Sequence, residues 1–117
     1  MRWPGVVRIF VCTVATDMRR SFDGLAMMAS QVVREDPLSG HLFVFINRRR
    51  DRVKVLWWDE DGLALFYKRL EEGTYEVPLG PGGSVEMTDG ELSMLLDGVD
   101  LSSVRRRRRF RLARAGK

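Results

Sequence analysis

The sequence predicts a single α+β domain with a central antiparallel β-meander. An N-terminal strand and an amphipathic helix precede the meander, and a second helix and a basic tail follow it. Three observations carry that prediction. Apolar residues recur with strand periodicity, then with helical spacing, then with strand periodicity again through residues 40–70. Asp61-Gly62, a dipeptide favoured in tight hairpin turns, separates two of the later apolar runs. A chain of 117 residues, 44% hydrophobic and 31% charged, is long enough for one core and too short for two.

Taken in order, Val6 to Val14 is β-branched and aromatic. Val7, Ile9 and Val11 fall on one face, with Val6, Phe10 and Cys12 on the other, which predicts a well-buried strand. Arg8 interrupts this run, and it is too short to span a bilayer. Met18, Phe22, Leu25, Ala29 and Val32 then follow helical spacing. Thr16 or Asp17 is the expected N-cap, Pro37 blocks continuation beyond about Asp36, and Arg19 and Asp23 form an expected i, i+4 pair.

Gly40 to Asn47 and Arg52 to Trp58 read as two strands joined by an arginine-rich loop. The tetrapeptide Asp59 to Gly62 turns the chain into a third, Leu63 to Arg69, and Thr74 to Val77 is expected to add a short fourth. Pro78 to Ser84 has the composition of a linker within a domain of residues 1–103. Thr88 and Glu91 then make a capping box ahead of Leu92, Leu95, Leu96 and Val99, which predicts the second helix. Residues 104–117 form the tail.

Strand alternation puts Val53, Val55 and Trp57 on one face and Arg52, Lys54, Leu56 and Trp58 on the other. Leu42 to Ile46 is apolar on both faces. The sheet therefore needs cover on both sides: either one helix packs on each face, or a partner finishes one. In the second case Trp58, Leu56 and Tyr67 are the expected partner interface, which leaves room for a homodimer.

Charge divides the chain. Eight basic residues and no acidic ones lie from Val104 onward, so the net +4 is the sum of a body near −4 and a tail near +8. Such a block repels itself until a polyanion or an acidic partner neutralises it. The body has its own basic cluster, Arg48, Arg49, Arg50 and Arg52, with Lys68 and Arg69 on the adjoining strand. These and Arg105, Arg106, Arg107, Arg108, Arg109, Arg111 and Arg114 are the candidate nucleic-acid contacts, with Phe110 interleaved for stacking.

Catalytic chemistry finds little support. Cys12 is the sole cysteine, which excludes an internal disulfide and a thiolate metal cluster and fits a reduced, cytoplasmic setting. Cys12 and His41 are the only dyad that can be written, and both fall in expected strands. Asp59, Glu60 and Asp61 would diverge into solvent from a hairpin tip rather than converge on metal ions. No catalytic residue, metal ligand or cofactor is therefore assigned.

Four segments carry a family resemblance: TDMRRSFDGL (Thr16 to Leu25), GHLFVFINRRRDRVKVLWWDEDGLALFYKRLEEG (Gly40 to Gly73), TDGELSMLLDGVDL (Thr88 to Leu101) and VRRRRRFR. Together they resemble the small accessory protein, TnpB, encoded by the second open reading frame of bacterial insertion sequences of family sixty-six. Ser21, where a glycine is common, and the Gly- and Pro-rich approach to the last helix depart from that pattern.

The resemblance implies a role in transposition beside a separate transposase, and it supplies no catalytic residue. It makes transposon-end DNA and the transposase the expected partners, in the cytoplasm or at the nucleoid and without a membrane. Two functions follow: a noncatalytic DNA-binding accessory factor, or a protein-interaction module that docks on the transposase without binding DNA.

Overall fold

The structure, a computed structural model, describes residues 7–97. Val99 and the arginine tail lie outside them. In chain order the elements are β1 (Ile9–Cys12), α1 (Phe22–Met28), β2 (Leu42–Ile46), β3 (Arg52–Asp59), β4 (Gly62–Arg69), β5 (Ser84–Met87) and α2 (Asp89–Leu96). The strands form one sheet in the order β4-β3-β2-β1-β5.

The α+β class is borne out, and β2, β3 and β4 form the expected meander. The whole sheet is mixed, because β1 joins β2 in parallel, with Phe10 opposite Phe43. A parallel pair needs a long crossover, and α1 supplies it.

Both faces are covered by the chain itself. On one, Ile9, Val11, Leu42, Val44, Val53 and Val55 pack with Leu92 and Leu95 of α2. On the other, Phe10, Phe43, Phe45 and Leu56 pack with Leu25, Met28 and Ala29. Complete burial of each of these side chains larger than alanine contributes about 1.5–3 kcal/mol. The strands are apolar on both sides because the sheet is the middle of three layers.

The first helix departs from expectation at both ends. Neither Thr16 nor Asp17 caps it: α1 begins after Ser21, which makes no side-chain capping bond. Asp17 Oδ1 instead accepts from the Arg19 amide at 2.9 Å, and Arg20 N donates to Asp17 O at 3.0 Å. That local turn competes with helix. Arg19 consequently pairs with Asp17 at 2.7 Å, not with Asp23.

Beyond α1 the chain widens into a π-helical turn, Ala29–Val33, ended by Arg34 at φ 67°. One extra residue per turn rotates the stripe, so Val33 rather than Val32 is buried.

The hairpin is also shifted from expectation. Glu60 and Asp61 occupy the turn, Glu60 has φ 57°, and Gly62 pairs with Asp59. This register sets Val55 against Phe66 and Leu56 against Leu65. Turning at Asp61-Gly62 would have set Val55 against Lys68, so apolar pairing outweighs the roughly 1–2 kcal/mol of a left-handed glutamate.

No strand forms at Thr74–Val77. Tyr75 plugs the α2-side core instead, its amide donating to Arg50 O at 2.7 Å. The Pro/Gly-rich segment leads into β5, which pairs antiparallel with β1. At Gly83 a Cβ would lie 2.3 Å from Val32 O, so only glycine fits this approach. The Thr88–Glu91 capping box on α2 is present as expected.

Lys54 is a buried cation, 6% exposed, whose Nζ donates to Met18 O at 2.9 Å and Arg20 O at 2.7 Å. Lys54→Met keeps the stem and strands both carbonyls. It is expected to lower stability by about 2–4 kcal/mol, measured as a fall in urea midpoint at constant m. Among the described residues the Tyr75 hydroxyl is buried without a hydrogen-bond partner, and burial pushes its pKa up to about 12. Tyr75→Phe is accordingly expected to raise the same midpoint, a gain in stability of about 1 kcal/mol.

Candidate nucleic-acid interface

The arginine cluster is a built loop. Asn47 Oδ1 accepts from the amides of Asp51 and Arg52, both at 3.0 Å, and Asn47 Nδ2 donates to Asp51 Oδ1 at 2.7 Å. Arg50 takes φ 63°. Its carbonyl holds the Tyr75 amide, and the Asp51 carbonyl accepts from Leu70 N at 2.7 Å. Arg48, Arg49 and Arg50 are exposed on this frame. Among the described residues, no hydrogen bond or ion pair holds their guanidinium groups.

Arg52 and Arg69 face each other across β3 and β4. Like charges opposed in this way repel. Arg52 is steadied by a bond to Tyr67 Oη at 3.2 Å, and Arg69 by Glu71 at 3.2 Å. The Tyr67 ring, 48% exposed, has Lys54 Nζ 4.6 Å from its centroid. An exposed aromatic among cations is what base stacking uses.

A groove of about 620 Å³ runs between Ala15–Met18 and Asn47–Arg52. Arg48, Arg49 and Arg52 line it, with Asp17 and Asp51. Both carboxylates are engaged: Asn47 holds Asp51 below the usual range, and the Arg19 side chain, with its amide, holds Asp17 at about 2.

Not every expected contact joins this group. Lys68 lies opposite Val53, on the other face of the sheet from Arg52 and Arg69. Leu56 is completely buried under α1 and offers nothing to a partner, a correction that follows from the helix covering that face. Trp58 is half-buried opposite Leu63, and Tyr67 remains exposed. Arg105 to Arg109, Arg111 and Arg114 lie outside the described residues.

Asn47 and Lys54 were not singled out from the sequence. Asn47 ahead of an arginine run was the one available signal, since asparagine commonly staples a turn.

The groups weighed and set aside for catalysis lie in separate places. His41 Nδ1 accepts from Arg8 N at 3.2 Å near the start of β1, whereas Cys12 ends that strand, buried, its thiol pKa pushed up by desolvation. Asp59, Glu60 and Asp61 are exposed at the hairpin tip. Among the described residues no three His, Cys, Asp or Glu could hold a metal ion, and no helix is long and apolar enough to cross a membrane.

Fold and site thus define a small α+β domain with a cationic rim at one end of its sheet. The family described as IS66 Orf2 like protein matches residues 7–106, and the chain belongs to this family of insertion-sequence accessory proteins. The uncharacterised protein y4hO of Sinorhizobium fredii is 42% identical over 94 residues, covering 80% of this chain and 82% of the relative. A second protein of that organism, y4jC, is 36% identical over 101 residues, covering 86% of each. No solved structure matches.

The Asp17–Arg19 pair yields a pH prediction. Asp17 is depressed from 3.8 to about 2, so its stabilising effect is present above about pH 4 and is lost as pH falls toward 2. NMR titration is expected to place its midpoint near 2. In Arg19→Ala the midpoint should move up toward 3.8 without reaching it, because the backbone amide bond remains.

Proposed function

We propose that this chain is a noncatalytic accessory factor for transposition that binds nucleic acid, with transposon-end DNA as its target. The observation that carries the reading is the gathering of Arg48, Arg49, Arg50, Arg52 and Arg69 at one end of the sheet, the guanidinium groups of the first three free of hydrogen bonds and ion pairs among the described residues. Three guanidinium groups on a fixed loop suit phosphate oxygens at low entropic cost.

The tail arginines supply sequence-independent affinity, and the loop with Tyr67 orients the duplex or an unstacked base. A noncatalytic role is supported by the inert setting of Cys12 and its separation from His41 along β1. The transposase then supplies the DNA chemistry. Docking on the transposase through Trp58 and Tyr67 is the second reading, favoured by the exposure of Tyr67 on the face that carries both.

The test is fluorescence anisotropy of labelled transposon-end and scrambled duplexes across a salt series. Each phosphate contact contributes about 0.9 to the log–log slope, so R48A/R49A/R50A is expected to reduce it by about 2–3, and serine at Arg105 to Arg109 by about 4–5. Absence of binding by the intact chain at low salt would overturn the DNA reading. Retention of the same chain on immobilised transposase, lost in Tyr67→Ala, would establish the docking one.

A further inference from the structure

The outer edge of the sheet is β4, eight residues long, twice the length of β5 at the opposite edge. Exposed edges are normally blunted by brevity, proline, a bulge or a charge in mid-strand. From Gly62 to Tyr67 the strand has no proline and no charge, and its pairing with β3 runs without a break from Asp59–Gly62 to Arg52–Arg69. Leu63, Ala64, Leu65 and Phe66 are all partly exposed. Among the described residues no strand pairs with the outer side of β4.

The free backbone groups can be assigned. A two-residue turn makes Asp59 and Gly62 a hydrogen-bonded pair, and such pairs alternate along an antiparallel ladder. The bond from Leu70 N to Asp51 O continues the same alternation. Gly62, Ala64, Phe66 and Lys68 therefore direct their amides and carbonyls at β3, while Leu63, Leu65, Tyr67 and Arg69 direct theirs outward.

We infer that this edge pairs with β4 of a second copy of the chain, antiparallel about a two-fold axis at Leu65. Charge selects both partner and direction. One end of β4 carries Asp61 and the other Arg69, so antiparallel self-pairing sets Asp61 opposite the partner's Arg69, whereas parallel pairing stacks like charges. In this register Leu65 meets its own copy and Leu63 meets the partner's Tyr67, all with outward backbone groups. On the other face Ala64 meets the partner's Phe66.

About six backbone hydrogen bonds close the seam. The contact is isologous, so it ends at a dimer, with one continuous sheet of two protomers.

The proposal is independent of the nucleic-acid reading, and its test uses no DNA. Sedimentation equilibrium on the full chain is expected to give a dimer at micromolar concentration. D61R and R69D should each weaken it at least about tenfold, and D61R/R69D should restore it by reversing the pair. Because both sites are exposed, circular dichroism should show the fold unchanged. Amide exchange at Leu63, Leu65 and Tyr67 should slow as protein concentration rises. A monomer throughout that range, or a dimer indifferent to all three variants, would overturn the proposal.

Discussion

The structure turns on a buried ammonium group. Lys54 lies in the middle strand of the meander, on the face covered by α1, where a solvated charge would be expected to be excluded. It is tolerated because the carbonyls of Met18 and Arg20 accept from it and the Tyr67 ring lies against it. The same contacts take two carbonyls that a longer helix would have used. The segment before α1 is therefore held as a turn, and Asp17 and Arg19 are fixed beside the arginine loop rather than carried away on a helix face.

From that lock the candidate site follows. One wall of the groove is the segment tied down by Lys54, and the other is the loop stapled by Asn47. The acidic groups within it are already satisfied, Asp17 by Arg19 and Asp51 by Asn47, while the guanidinium groups of Arg48 and Arg49 at its rim make no hydrogen bond or ion pair among the described residues. Tyr67 links the lock to the rim, since its ring meets Lys54 and its hydroxyl meets Arg52. The site is thus an outgrowth of the packing that holds α1 to the sheet.

Much of this was legible in the residues. The three-strand meander, the alternation of Val53, Val55 and Trp57 against Lys54, Leu56 and Trp58, the capping box at Thr88 and the family resemblance all rest on local patterns. The misreadings share one cause. The start of α1, the π-helical rotation that exchanged Val32 for Val33, and the hairpin shift that put Glu60 at a left-handed position were each settled by what the segment packs against. Thr74 to Val77 has good strand propensity, yet a single side chain, Tyr75, was needed more as a plug in the α2-side core than as part of a ladder.

By itself, the sequence determined the fold class, the division of charge between body and tail, and the identity of the arginines that crowd one loop, because periodicity, capping and net charge are carried by near neighbours along the chain. Only the tertiary structure decided which of those charges meet. It placed Arg52 across from Arg69 and sent Lys68 to the other face. It buried Leu56 while leaving Tyr67 open, and it left β4 at the edge of the sheet. Strand register and layer order set these outcomes, and both minimise exposed apolar area over the whole chain, a quantity that no local stretch of residues contains.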